Sequence, residues 1–490
     1  MLKTNRRNFL KLGGVVGLGL LSACRPTPTT EPIEEQEPEV HKSKDGLLEL
    51  NLTAALTEVN LDGKKAKLFT YNGSMPGPRL ELNAGDTIKI NFSNKLSQAT
   101  NLHFHGLHVS PSGNSDNVFL EIKPNESFSY EIKIPQNQPS GSFWYHPHYH
   151  GNVAEQLFKG LSGLIIIRGE LDKIPEIAAA KEHFIVLKDI ELDASGNVPR
   201  NSMMELARGR EGRLLTVNGQ INPKFTIAKN GLARLRFLNA SSSRIYNLSL
   251  QNHPMFLIAT DGGAIANSKE INNLILAPGQ RAEVLIKADK SPGEYKLINS
   301  EYNRGGMMGA GMMGGGMMGG ISSQAASTTL ASLVYTGSSQ TTAIPNKISD
   351  FKLLNQKPIR TRYLNLYHRG IMGRGPRFFI DITDSAGNKI GGGLFDHKKI
   401  NISAKLGDVE DWLITNSGSM DHPFHIHVNS FQIIDSAGKP EPAWRDIVLL
   451  KPGQSKRIRM KFEDFKGKAV YHCHILDHED LGMMGVIEFV

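Results

Sequence analysis

Residues 472–483 read His-Cys-His-Ile-Leu-Asp-His-Glu-Asp-Leu-Gly-Met, and no other stretch restricts the fold as tightly. Cys473 has a histidine on each side, His478 five residues on and Met483 ten residues on. A thiolate, an imidazole and a distant thioether are ligands of a blue-copper site, which needs one more imidazole. On an extended strand, neighbouring side chains point to opposite faces. Cys473 and the pair His472/His474 therefore serve two different metal centres, joined by a few bonds of backbone. A simple electron carrier has no use for that wiring, whereas an enzyme moving electrons from one copper to a copper cluster does.

Three further clusters supply partners. His-Phe-His-Gly lies at 103–106, Trp-Tyr-His-Pro-His at 144–148 and His-Pro-Phe-His-Ile-His at 422–427. The imidazoles of each His-x-His pair share one strand face, or splay from a bend at Pro147. Two clusters fall in the first third of the chain and two in the last. A lone His-x-His is usually a surface pair, but four clusters in this order are not. His41, His108, His150, His183, His253, His368 and His397 lack matching partners and read as surface or supporting residues.

In residue type, spacing and order these motifs resemble those of multicopper oxidases of the bacterial laccase and cuprous-oxidase type, over roughly residues 45–490. The resemblance implies four copper ions. His422, Cys473 and His478 would hold a type 1 copper, with Met483 as weak axial ligand and Met484 as packing. His103 and His425 would hold a type 2 copper. His105, His146, His148, His427, His472 and His474 would hold a binuclear type 3 pair. Four one-electron oxidations of substrate would then reduce one O2 to two waters. Glu479 and Asp116 resemble the family's proton-handling carboxylates. Asp446 matches a position near the type 1 histidine where substrate Cu(I) binds.

A chain of 490 residues is too long for one compact core. Thr87–Phe92, Phe128–Ile134 and Ala233–Leu238 alternate apolar and polar residues with period two, as half-buried strands do. Leu164–Ile167 and Val284–Ile286 read as buried strands ending domains. Turn signals at Ala84-Gly85-Asp86, Pro278-Gly279 and Pro452-Gly453 separate them. Asn83-Ala-Gly-Asp-Thr-Ile resembles Lys405-Leu-Gly-Asp-Val-Glu, with Lys229-Asn-Gly-Leu-Ala-Arg as a middle counterpart. The expectation is an all-β chain of antiparallel sheets. With the family resemblance it becomes three cupredoxin-like Greek-key β-barrel domains near 45–172, 180–340 and 350–490. The middle domain carries no ligand motif and reads as a spacer and scaffold.

The N-terminus reads as a targeting segment. Asn5-Arg6-Arg7-Asn8-Phe9-Leu10-Lys11 resembles a twin-arginine signal, and Leu12–Leu21 is too short to span a membrane. Leu21-Ser22-Ala23-Cys24 looks like a lipobox, so residues 1–23 would be removed and Cys24 lipidated; ordinary secretion is the alternative. Residues 24–44 read as a disordered tether to a periplasmic or cell-surface enzyme. The only other cysteine is Cys473, which leaves no disulfide to form. The formal charge is +8, half of it from Lys3, Arg6, Arg7 and Lys11, and no basic run supports nucleic-acid binding. The lipid is the only membrane contact expected, and the enzyme is expected to be a monomer.

Residues 305–320 pair Met307/Met308, Met312/Met313 and Met317/Met318 among glycines. Glycine this dense holds no helix or strand, and thioethers select Cu(I). A Cu(I)-recruiting loop, similar to those of cuprous oxidases, is one reading; low-complexity drift or an oxidation target is the other. Met203, Met204 and Met372 would add thioethers to such a loop, although each alone reads as ordinary packing. The expected partners are O2 and Cu(I) or a small reducing substrate. Phenols, aromatic amines, Fe(II) and Mn(II) are alternative substrates. A copper-binding module or a copper nitrite reductase is the competing class.

Overall fold

The computed structural model describes residues 37–306, 327–371 and 375–490. Strands dominate them and form six sheets, two in each third of the chain. The three thirds repeat one plan. In each, the turn noted in the sequence launches a strand lying parallel to the domain's first long strand: Thr87–Asn94 beside Leu47–Leu61, Leu232–Asn239 beside Lys181–Ile190, and Val409–Asn416 beside Arg360–Ile371. Each turn contains a residue in the left-handed region, Gly85 at φ 91°, Asn230 at 69° and Gly407 at 88°. Glycine and asparagine tolerate that region best. The launched strand then pairs antiparallel with Ser127–Lys133, Arg281–Lys287 or Ser455–Lys461.

The alternation explains the burial. Ile88, Ile90 and Phe92 are fully buried while Lys89 and Asn91 face solvent. Each such side chain contributes roughly 1.5–3 kcal/mol on leaving water. Each domain's own apolar core lies between its two sheets.

The opposite sheet of each domain carries a two-stranded unit: His103–His105 with Gly141–His146, Tyr246–Leu250 with Glu294–Ser300, and His422–Ile426 with Gly467–Cys473. The first and third of these units bear the histidines. Asp480 joins their domains by accepting from Gly151 N at 2.6 Å and Ala154 N at 2.9 Å, at the start of helix Val153–Phe158.

Three expectations change. The sheets are mixed rather than antiparallel, because the first domain has three parallel pairings and each of the others has two. Strand Arg281–Lys287, which holds Val284, does not end the middle domain; Glu294–Ser300 and Thr328–Ser338 follow it. The tether expected over 24–44 is ordered from Glu37. Val40–Lys42 pairs parallel with Arg79–Asn83, and Arg79 holds Glu37 at 3.0 Å. Residues 1–23, with the targeting segment, and Cys24 lie outside the described residues. So do Met307, Met308, Met312, Met313, Met317, Met318 and Met372. Among the described residues no helix is long and apolar enough to cross a membrane.

Candidate metal centre

Strand register sorts the third-domain ligands into two sets. His425 lies opposite His472, and Phe424 opposite Cys473. Cross-strand partners share a face and successive residues alternate. His422, two residues before Phe424, therefore joins Cys473 on the inner face, and His425 joins His472 on the outer one. Cys473 Sγ is 3.4 Å from His422 Nδ1 and 3.9 Å from His478 Nδ1, and all three residues are buried. Met483 is buried too; its carbonyl accepts from Cys473 N and its N–H donates to His478 O. The His478 ring stacks on Phe378 at 3.9 Å. Met484 packs with Val118 and Val470 instead. Burial pushes the Cys473 thiol up and holds His422 down at about 3. His422 Nε2 and His478 Nε2 have no hydrogen-bond partner among the described residues.

The outer face meets the first domain. There His103 lies opposite His146 and His105 opposite Trp144, while Phe104 and Tyr145 fill the domain core. Eight imidazoles converge. His103 stacks on His427 at 3.9 Å and His105 on His425 at 4.0 Å. His472 Nε2 is 3.2 Å from both His148 Nε2 and His427 Nε2. His105 stands 5.1 Å from His474 between ring centres. Burial keeps these rings neutral, His148 and His425 at about 3 and His472 at about 4. Neutral imidazole is the ligand form. His103 Nε2, His105 Nδ1, His146 Nε2, His425 Nε2 and both His474 nitrogens lack partners among the described residues. Buried polar atoms without partners are rare, and a metal ion satisfies them. Groups such as His103/His105/His146, His103/His425/His427 and His148/His427/His472 can each hold one. These groups cut across the type 2 and type 3 division that the resemblance implies.

All three expected carboxylates stand at the histidine cluster, two of them as expected. Asp116 has its oxygens 2.9 and 3.0 Å from His103 Nδ1 and accepts from Phe104 N; burial pushes it up to about 7. Glu479 is fully buried, 2.9 Å from His472 Nδ1 and 3.6 Å from His148 Nδ1, and burial raises it as well. Asp446 is a correction. It lies 3.2 Å from His105 Nε2 and is bound to Arg281, at the histidine cluster rather than beside His422. The reason is register: Ile447–Leu450 pairs His425 with Ile447 and His422 with Leu450, so position 446 falls at the far end.

Sequence reading missed three residues. Asp477 accepts from Arg210 N at 2.7 Å and Ser243 Oγ at 3.3 Å, tying the His478 helix to the middle domain. Arg281 carried no motif signal. His368 looked bland, yet a Cβ on Gly418 would lie 3.2 Å from His368 Nδ1 and 3.3 Å from His422 Nε2. Both nitrogens thus border one gap, and neither has a partner among the described residues. Other histidines have local partners, such as His253 with Tyr335 and His108 with Val428 O.

The residues before the methionine segment are anchored beside this gap. Gly305 bridges Met420, Asp421 N donates to Arg304 O at 2.8 Å, and Tyr302 donates to Asp421 at 2.7 Å. Met203 and Met204 are 58% and 68% exposed, against the packing role expected of them.

Three cupredoxin-like domains, with a cysteine–histidine site wired to an interdomain histidine cluster, define a copper-dependent redox protein. Family descriptions of multicopper oxidases match residues 53–172, 185–338 and 373–489. A multicopper oxidase of Staphylococcus haemolyticus is 33% identical over 431 residues, covering 85% of this chain and 83% of the relative. A solved structure described as a multicopper oxidase from Campylobacter jejuni, a metallo-oxidase, is 31% identical with TM-score 0.76, covering 94% of this chain and 98% of that one. The cell division protein FtsP of Xenorhabdus nematophila is 28% identical over 496 residues, 98% of each chain. The chain belongs to the multicopper oxidase family, whose members use copper.

Proposed function

We propose that this protein is an oxidase that takes electrons singly from Cu(I) at the His422 edge and spends four of them, with four protons, on reducing one O2 to two waters at the histidine cluster. The observation carrying this is Cys473, which faces His422 and His478 while its neighbours His472 and His474 join the cluster. His422, Cys473, His478 and Met483 would hold one copper, His103 and His425 a second, and the remaining six histidines a pair. Copper supplies a one-electron couple at the sulfur site and an oxygen-reducing centre at the cluster. The protein does the rest. It excludes water, fixes the ring orientations, and keeps protons on Glu479 beside His472 and His148 and on Asp116 beside His103.

Cu(I) as substrate is supported by His368 Nδ1, which borders the same gap as His422 Nε2 and has no partner among the described residues, by the exposed thioethers of Met203 and Met204 on a helix packed against that of His478, and by the methionine pairs of the sequence at 307–318. The metallo-oxidase description of the Campylobacter jejuni neighbour points the same way. Oxygen uptake by the copper-loaded protein, with Cu(I) against a bulky phenol as donor, tests it. Fast uptake with Cu(I) and little with phenol is expected; the reverse makes the protein a laccase. Four coppers per chain are expected, and fewer would favour a binding or division protein. Export by the twin-arginine route and anchoring through Cys24 complete the proposal. Replacing Cys24 with alanine should release the enzyme from membranes.

A further inference from the structure

Arg281 is buried, and all five of its N–H donors are engaged. Nε donates to Ser142 O at 3.1 Å. Nη1 donates to Gly279 O and Asp446 Oδ1, both at 2.9 Å, and Nη2 to Asp261 O at 3.0 Å and Asp446 Oδ2 at 2.5 Å. These acceptors come from all three domains: Ser142 from the first, Gly279 and Asp261 from the middle one, and Asp446 from the third.

Asp446 in turn addresses two cluster histidines. Its Oδ1 lies 3.2 Å from His105 Nε2, and its backbone carbonyl lies 2.8 Å from His425 Nδ1. Carboxylates and carbonyls only accept, so the single proton of each neutral ring sits on His105 Nε2 and His425 Nδ1. The lone pairs then fall on His105 Nδ1 and His425 Nε2, the two nitrogens left without partners among the described residues. The glycine of His-Phe-His-Gly belongs to the same device. A Cβ on Gly106, which has φ +85°, would lie 2.3 Å from Arg281 Nη2 and 2.6 Å from Asp446 Oδ2.

We propose that Arg281 is a positioning residue of the metal centre: by clamping Asp446 it sets the ligating tautomers of His105 and His425, so that the cluster accepts metal only when all three domains are docked. The middle domain is then more than a spacer. The inference rests on the reading that the histidine cluster holds copper. It assigns that cluster's assembly to a residue outside every ligand motif.

The test compares copper retention and spectra of wild type, D446N, R281K and E283Q. In D446N the Arg281 fork claims the amide oxygen, so the NH2 group faces His105 Nε2 and drives the ring proton to Nδ1. Loss of such an outer hydrogen bond weakens metal retention about 10- to 100-fold. D446N should lose cluster copper by that factor under chelator challenge while keeping the blue absorption of the Cys473 site. R281K, with the charge but no fork, should lose cluster copper to a smaller degree. Glu283 is the control. It shares the strand of Arg281, accepts from Arg234 at 2.6 Å and Ser142 Oγ at 2.8 Å, and is buried between the first and middle domains without facing a histidine through a hydrogen bond. E283Q should keep both centres. The proposal fails if D446N retains cluster copper like wild type, if E283Q loses as much, or if D446N and R281K lose both centres together. A wild-type chain that binds copper only at Cys473 sinks the cluster reading as well. A fully loaded wild type matched by D446N sinks this inference alone.

Discussion

The ligand-bearing strand pairs of the first and third domains match in register. His103 opposite His146 corresponds to His425 opposite His472, and Phe104 opposite Tyr145 to Ile426 opposite Tyr471. Both tyrosines lie opposite a glycine, Gly163 and Gly485, whose missing Cβ makes room for the ring. The outer faces are therefore alike and build one cluster between them. The inner faces differ. Counted from the shared histidines, the first domain has Thr100, Pro147 and Asn152 where the third has His422, Cys473 and His478. One strand pair thus carries a histidine face over an ordinary core, and the other carries the same face over a second candidate metal site. The middle domain's equivalent, Tyr246–Leu250 with Glu294–Ser300, has neither. In the proposed oxidase, the outer face would handle oxygen and the inner face of one domain would take in electrons.

The largest expected effect comes from removing that difference. Cys473→Ser should abolish the blue absorption and turnover of the copper-loaded protein while cluster copper stays, read by metal analysis and spectroscopy. Pro147→Cys, which places a thiol at the matching first-domain position, should create no second blue site, because Thr100 and Asn152 are poor substitutes for imidazoles. If a second band appears, the inner-face argument is wrong.

Glu479→Gln comes next. The side chain directly follows the sulfur-site residue His478 in sequence and lies beside the cluster residue His472 in space. Loss of a positioned proton donor costs about 10²- to 10⁴-fold in rate, so turnover should fall in that range with copper content unchanged. Wild-type turnover would remove Glu479 from the proton path.

Smaller effects probe the shared architecture. A Cβ on Gly163 would lie 2.1 Å from the Tyr145 ring, and one on Gly485 would lie 2.3 Å from the Tyr471 hydroxyl. Gly163→Ala and Gly485→Ala should each destabilise the protein by about 1–3 kcal/mol in denaturant melts. Unequal values would show that one strand pair relaxes more easily. The smallest contrast is between the tyrosines. Tyr145 donates to Pro78 O at 2.8 Å, whereas the Tyr471 hydroxyl is buried without a partner among the described residues. Tyr145→Phe should cost about 1 kcal/mol, and Tyr471→Phe should be neutral or stabilising. Equal costs would mean that Tyr471 has a partner in solution.

Much of the site was legible because its information is local. Alternation along His472-Cys473-His474 separates two centres without reference to any other strand, and the glycine-led turns mark the same step in each domain. The Asp446 expectation failed for the opposite reason. The family resemblance placed it near the type 1 histidine, but a four-residue strand pairing decided which end of His422–Ile426 it meets. Arg281 and His368 were invisible because neither belongs to a motif. One matters through a fork reaching three domains, and the other through a gap left by Gly418.

By itself, then, the sequence determined the strand periodicity, the three-part β architecture and the division of candidate ligands into a sulfur set and an imidazole set. These follow from residue chemistry and the two-residue repeat of an extended chain. Only the tertiary structure decided which histidines from separate domains stack on one another. It also decided which ring nitrogens keep their lone pairs, and that the domain without ligands supplies the clamp. Those outcomes depend on strand register and domain docking, which bring together residues more than three hundred positions apart, such as His105 and Asp446.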